Sequence, residues 1–418
     1  MKKINVHIHP RQNQPPFIGH SELINRFEGY LKNQGYTDFT RQSYLSATEH
    51  FLFWIETTPC YFGQIDRSSI KMFLREHLPG CCCPGPVYKD LKTVRAALNQ
   101  MLLMKGYERV RLISNGASTT PKLNIEIDLF DKYLSKICGH AQATRWYHRR
   151  HVQQFLVWLF GGQTISRTMI TPEALCRFVS EQASSLSPNS VGVLVYSLRT
   201  YLKFLQFHGH VTPSLKGKIP RPPSWSQTNL PQALTNAELK RFWSAFNRNT
   251  AIGKRDYAMA RCLADLGLRC HEVANLQHND IDWHNGALYL SKTKGRREET
   301  LPLPDQMGHA LVTYLRYGRP ITKSPNVFVY HRAPLGHAVQ KTTVRGAIRR
   351  SFSRAGLPWS GTHILRNTLA SRLLESGASL KEVAEVLRHR SIDTTKIYTK
   401  IDLSHLSKVA LPWPGRWS

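Results

Sequence analysis

Two imidazoles, a guanidinium and a phenol fall within 36 residues near the end of this 418-residue chain. They are His363 and Arg366 in His-Ile-Leu-Arg, His389 closing Leu-Arg-His, and Tyr398 in Thr-Thr-Lys-Ile-Tyr-Thr. The set suits a single phosphate: an arginine grips phosphate oxygens with paired N–H donors, an imidazole moves protons near neutral pH, and a phenolic oxygen can attack phosphorus. The steps between the four are 3, 23 and 9 residues. Upstream, Gly267-Leu268-Arg269-Cys270-His271-Glu272 adds a second arginine with a carboxylate three residues on. Two β-like stretches, Ala287–Leu290 and Thr300–Leu303, flank Ser291-Lys292-Thr293-Lys294-Gly295-Arg296-Arg297, so four cations crowd into six positions of a hairpin tip. An ordinary solvated turn has no use for such a cluster.

Cleaving a phosphodiester without hydrolysis needs a nucleophile, charge balance on the non-bridging oxygens, an acid for the leaving 5′ oxygen, and reversibility. The residues above resemble the carboxyl-terminal signature of the tyrosine recombinases, the phage-integrase family, over roughly residues 125 to 403 and most specifically over 363 to 402. Six fixed positions coincide by chance at roughly 10⁻⁷ or below if each residue type occurs about one time in twenty. The resemblance implies that Tyr398 forms a 3′-phosphotyrosyl link, that Arg269 and Arg366 clamp the two non-bridging oxygens, and that His363 deprotonates or positions the tyrosine. It further implies that His389 hydrogen-bonds the phosphate, that Glu272 supports the site, and that Lys294 is the general acid, with Lys292 its rival. Tyr314, Tyr317 and Tyr330 lack this context and read as half-buried helix residues. The implied enzyme breaks and rejoins DNA without metal or nucleotide cofactor, as a homotetramer on two duplexes, in integration, excision or transposition of a mobile element. A type IB topoisomerase shares the chemistry, and a catalytically silent DNA-binding accessory recombinase would share the fold. A metal-dependent transposase is a poorer match, because Asp280 and Asp282 belong to no carboxylate triad.

Composition points the same way. A net charge of +29, from 57 Lys plus Arg against 28 Asp plus Glu, predicts a polyanionic partner such as double-stranded DNA and a steep salt dependence of binding. No apolar run approaches the ~20 residues of a spanning helix, and no signal peptide follows Met1-Lys2-Lys3, so the reading is a cytoplasmic protein without membrane association. Eight cysteines fit a reducing compartment. Cys81-Cys82-Cys83 with His77 nearby invites a metal, but the local spacing completes no tetrahedral set, and a turn with free thiols is the expectation.

The elements that position these groups form a multidomain, mostly α chain with a mixed α+β catalytic domain. Residues 1–120 read as an extra helical module, 121–211 as a core-binding domain, 212–232 as a Pro-rich basic linker, and 233–418 as the catalytic domain with its tail. An internal duplication connects the first two: Phe51-Leu52-x-Trp54 recurs as Phe155-Leu156-x-Trp158 and Thr40-Arg41 as Thr144-Arg145. Each copy reads as about four helices, and by resemblance both are SAM-like modules, the second of them the core-binding domain that precedes such catalytic domains. Leu194, Val195, Leu198, Tyr201, Leu202 and Leu205 make an apolar stripe at helical spacing, as do Leu91, Val94, Leu98, Met101 and Leu102. Arg199 and Lys203 fall off the first stripe and, with Arg145, are candidate DNA contacts. Lys292, Arg296 and Arg297 on the hairpin and Arg345 and Arg349 on a basic helix, beside Arg350, complete that group. In the first copy Lys89, Lys92 and Arg95 could touch DNA, and Phe53, Tyr61 and Phe62 a protein. Thr235 and Glu238 fit a capping box that opens the catalytic domain. The tail, Leu403 to Ser418, carries Leu406, Val409, Leu411, Trp413 and Trp417 and by resemblance docks onto a neighbouring protomer.

Overall fold

Four helices open the chain: α1 (Ser21–Asn33), α2 (Asp38–Thr57), α3 (Arg67–Met72) and α4 (Leu91–Met104). The computed structural model describes residues 20–57, 65–83, 87–107, 121–161, 165–210, 217, 219, 232–290 and 299–388. The chain divides into two compact units, Met1–Val110 together with Leu230–Ser418, and Arg111–Asn229. Among the described residues no helix is long and apolar enough to cross a membrane.

In the first bundle Asp66 starts α3 by accepting the N–H groups of Ser68 and Ser69, and Asp90 starts α4 by accepting that of Thr93. Each aspartate satisfies donors that a helix start leaves without intrahelical partners. The helix of α3 continues through a π-helical turn, Phe73–His77, and a 3-10 turn, Leu78–Gly80. The stripe expected on α4 is buried from Val94 onward, whereas Leu91, in the first turn, is 45% exposed. Cys81–Cys83 is coil and not the expected turn; its thiols are free, as expected, but not isolated. His50, from α2, joins His77, Cys81 and Cys83 in one cluster, a ligand that local spacing could not supply.

The unit Arg111–Asn229 holds α5 (Pro121–Lys136), α6 (Gln142–Phe160), α7 (Pro172–Ala183) and α8 (Pro188–Phe207). Thr171 and Ser187 cap α7 and α8, each followed by a proline whose missing N–H costs nothing at that position. All six residues of the α8 stripe are buried. Each bundle thus has the four helices expected, and each contains the same aromatic trio. Phe51 meets Phe73 edge-on at 5.2 Å with Trp54 5.4 Å from Phe73; Phe155 meets Phe178 edge-on at 5.3 Å with Trp158 5.3 Å away.

The catalytic segment comprises α9 (Asn236–Ser244), α10 (Ala251–Asp265), α11 (Cys270–Asn275), α12 (Asp305–Tyr317), α13 (Lys341–Arg354), α14 (His363–Glu375) and α15 (Leu380–Val386). Its sheet is β1 (Ile281–Asp282), β2 (Ala287–Leu290) and β3 (Glu299–Pro302), antiparallel in that order. The Thr235–Glu238 capping box forms in both directions. The hairpin register runs from Ala287↔Pro302 to Leu290↔Glu299, one residue earlier on the second strand than expected. The ladder ends at Pro302, which has no N–H to donate. Met259, Cys262 and Leu263 of α10 share one core with Phe242, Tyr314, Phe352, Ile364 and Leu365. Burying a side chain of this size contributes about 1.5–3 kcal/mol, so Ile364 and Leu365 pin the first turn of α14 against the core. The two residues flanking that pair are His363 and Arg366. Within this unit the Leu335 N–H donates to the Gln34 carbonyl at 3.1 Å, a direct tie between the first bundle and the catalytic segment.

Candidate active site

Gly267 is the pivot of the site. Its φ of +58° lies in the left-handed region, and a Cβ there would stand 3.0 Å from Leu387 Cδ2 and 3.3 Å from Leu369 Cδ2. Glycine is therefore favoured by its dihedral freedom, and the two tight leucine contacts add to the cost of any side chain. With no side chain in the way, the Gly267 carbonyl turns inward and accepts from Arg366 Nη1, while Leu387 O accepts from Arg366 Nη2. Arg366 is only 5% exposed, so two main-chain oxygens fix the plane of a buried guanidinium.

Arg269 follows two residues later, at the N-cap of α11. Its Nη1 lies 3.1 Å from Glu272 Oε1, and its own N–H donates to Glu272 Oε2 at 2.8 Å. The carboxylate thus holds the arginine at both ends of the residue. Glu272 receives a third partner, Arg388 Nη2, at 3.0 Å. Burial pushes the Glu272 carboxyl up, but Arg388, the Arg269 N–H and the Arg269 guanidinium together outweigh it and hold the group below the usual carboxylate range. Glu272 is therefore ionised at neutral pH, and the guanidiniums around it are left with a net excess of positive charge.

His363 opens α14, and Cys270 Sγ donates to Thr362 Oγ1 at 3.2 Å, which ties the starts of α11 and α14 together. That contact brings His363 near Arg269. Partial burial first, and then Arg366, Arg269 and Arg345, lower the His363 pKa below 6.5. The ring is consequently neutral at physiological pH and available to accept a proton. The arrangement can bind a dianionic or monoanionic oxygen group between two oriented guanidiniums and offer it a base.

Arg388 is the residue that sequence reasoning missed. Its side chain is 4% exposed, its φ is +55°, and besides Glu272 its Nε lies 3.7 Å from Glu299 Oε2. Glu299 is the first residue of β3, so this ion pair places the foot of the basic hairpin against the site. Its position directly before His389 was the only available signal. Lys292, Lys294, Arg296, Arg297, His389 and Tyr398 lie outside the described residues, as do most of the linker and the whole tail.

The candidate DNA contacts divide into two groups. Arg345 and Arg349 are exposed one turn apart on α13, and Lys203 is exposed on α8. Arg350 turns towards Asp256 at 3.3 Å. Arg145 instead binds Asp131 through Nε at 2.9 Å, and Arg199 donates to the Ile219 carbonyl at 2.6 Å, so both serve their own bundle. Of the tyrosines read as half-buried helix residues, Tyr314 is fully buried in α12 and Tyr330 is half-buried in coil. Tyr317 is 68% exposed, because it ends α12 where the helix leaves the core.

The phage integrase family model matches residues 232–405. The integrase/recombinase homologue y4rA of Sinorhizobium fredii is 37% identical over 291 residues, 69% of this chain and 71% of that protein. The fold is similar to that of the XerH site-specific recombinase bound to difH DNA after cleavage, with a TM-score of 0.54, 20% identity, and 81% of this chain and 93% of that chain covered. It is also similar to lambda integrase residues 75–356 on a core site, at a TM-score of 0.54, 16% identity, and 71% and 97% coverage.

Proposed function

The chain belongs to the phage integrase family and is a tyrosine site-specific recombinase acting on DNA; from that premise we propose how its residues divide the work. Tyr398 attacks the scissile phosphorus, the bond from phosphorus to the 5′ oxygen breaks, and a 3′-phosphotyrosyl link forms. His363 takes the phenol proton, and Lys294 gives a proton to the departing 5′ oxygen. Arg269 and Arg366 balance the charge on the non-bridging oxygens, with His389 as a further hydrogen-bond donor. Attack by a 5′ hydroxyl from the partner strand reverses each step and regenerates Tyr398. Because the phosphotyrosyl bond conserves the energy of the original ester, rejoining needs no nucleotide.

The observation that carries this reading is the convergence of Arg269, Arg366 and neutral His363 around Gly267, with both arginines fixed by main-chain or carboxylate partners before any phosphate arrives. Such preorganisation is where electrostatic catalysis gains most. Glu272 and Arg388 act as positioning residues for Arg269. Arg345, Arg349, Lys203 and the hairpin cations Lys292, Arg296 and Arg297 contact the duplex around the cleaved phosphate. Exchange between two duplexes cuts four strands, so the working assembly is a homotetramer, acting on the mobile element's ends in the cytoplasm. Both N-terminal bundles are SAM-like modules in this reading.

The deciding experiment uses a nicked suicide substrate and a denaturing gel. Tyr398→Phe removes one hydroxyl and none of the phosphate contacts, so the covalent adduct should vanish while DNA binding stays within about twofold. An adduct formed by Tyr398→Phe would assign the attack to another residue.

A further inference from the structure

In the first bundle four potential ligands meet away from the recombination site. His50 projects from α2, His77 from the π-helical turn after α3, and Cys81 and Cys83 from the coil that follows; their ligand atoms all lie within 4.8 Å of one another. His50 Nε2 is 3.3 Å from His77 Nε2 and 3.2 Å from Cys81 Sγ, and Cys83 Sγ is 3.3 Å from His77 Nε2. A tetrahedron with metal–nitrogen bonds of about 2.0–2.1 Å and metal–sulfur bonds of about 2.3 Å has N–N edges of about 3.3 Å and N–S edges of about 3.5 Å. These three separations lie within about 0.3 Å of those edges, and the other pairs lie within 4.8 Å.

The surroundings are arranged as for a metal. His50 Nδ1 lies 3.1 Å from the Tyr88 carbonyl, which can only accept, so Nδ1 carries the proton and Nε2 offers its lone pair to the cluster. That one lone pair cannot fully accept from both His77 and Cys81, so protons alone satisfy the cluster badly, whereas one cation satisfies all four groups. The Cys83 N–H points at Cys81 Sγ at 3.4 Å, a donor suited to a thiolate. Lys89 closes the coil by donating to the Cys81 carbonyl at 2.9 Å. The second bundle supplies an internal comparison. Aligned through the aromatic trios, Gln154 and Gln182 stand where His50 and His77 stand in the first, and that bundle gathers no such cluster among the described residues.

We propose that His50, His77, Cys81 and Cys83 form a structural zinc site that fastens α2, the π-helical turn and the Cys81–Cys83 coil into one module. Two thiolates and two neutral imidazoles give a Cys2His2 set of overall zero charge around Zn²⁺, and its assembly releases the two thiol protons. The site is closed, with four protein ligands and no open position, so its role is architectural and separate from strand cleavage.

The test uses the full-length protein, stripped and then reloaded with Zn²⁺ or Co²⁺. One zinc per chain should survive gel filtration, and Co²⁺ should give visible d–d bands of tetrahedral intensity with a sulfur-to-cobalt charge-transfer band. Cys82→Ser, altering the exposed neighbour, should keep both signals; Cys81→Ser, Cys83→Ser and His50→Ala should each lose the stoichiometric metal. The wild-type cobalt spectrum decides the matter even if a variant fails to fold. Substoichiometric zinc without the charge-transfer band overturns the proposal, as does equal loss in Cys82→Ser or a Cys81–Cys83 disulfide in place of metal.

Discussion

Truncating Arg388 to alanine perturbs two features at once, and their sizes can be separated. The side chain is 4% exposed and its partner Glu272 2% exposed, so Arg388→Ala strands a carboxylate in the interior. Removing one member of a buried pair costs about 3–5 kcal/mol. Glu272 keeps the Arg269 guanidinium and N–H, which places the loss near the lower end, about 3 kcal/mol. Arg388 also sits at a φ of +55°, a left-handed conformation costing a side-chain-bearing residue about 1–2 kcal/mol. Arg388→Gly relieves that strain but gives the unfolded chain extra freedom worth about 0.4–1 kcal/mol. Strain relief wins, and the glycine variant should be the more stable of the two by about 0.5–1 kcal/mol. Glu272→Gln removes the stranded charge, so combining it with Arg388→Ala should recover about 1.5–2 kcal/mol relative to the sum of the single losses. Urea unfolding followed by circular dichroism reads the four variants against the wild type. With a slope of about 2.5 kcal/mol/M, a 3 kcal/mol loss moves the midpoint of the affected transition by about 1.2 M. Additive effects within about 0.5 kcal/mol would refute the pair as an energetic unit, and an alanine variant more stable than the glycine one would refute the strain argument.

Lys294→Ala should be severely slow on ordinary DNA but recover on a substrate with sulfur at the bridging 5′ position, because a thiolate leaves without a proton. Lys292→Ala should show no selective recovery, and swapped behaviour would exchange the two assignments. The His363 pKa is depressed in the folded protein, so the ring binds fewer protons there than when unfolded; its contribution to stability is complete above about pH 6.5 and falls as the pH drops towards the folded value. The acid limb of adduct formation should therefore lie below about pH 6.5, and Arg345→Ala should move it upward by removing one of the cations that depress it. Rates measured on a nicked substrate from about pH 5 to 8 decide this, and an acid limb unmoved by Arg345→Ala would detach Arg345 from His363.

What could be read from the chain alone follows the range of the interactions involved. His363 and Arg366 were legible because a helix start fixes their spacing, and the α8 stripe because burial on a helix has a fixed period. The hairpin strands were legible to within one residue for the same reason. Arg388 was not legible: its role depends on a backbone dihedral and on Glu272, 116 residues away in sequence. His50 escaped because the ligands beside it are read locally, whereas it arrives from another helix. Arg199 looked free because periodicity says which face a residue occupies, not whether a carbonyl already accepts from its guanidinium.

The two oxygens that orient Arg366 belong to the main chain of Gly267 and Leu387. The path of the backbone therefore sets the direction of two N–H donors of this guanidinium. A different hydrophobic residue at 387 should leave this carbonyl in place as long as its volume and the chain direction persist. Position 267 has less latitude, since its φ of +58° strains any side chain and a Cβ would press on Leu387 and Leu369. Tolerance to substitution around this arginine is thus a matter of shape, set by the dihedral at 267 and the volume at 387.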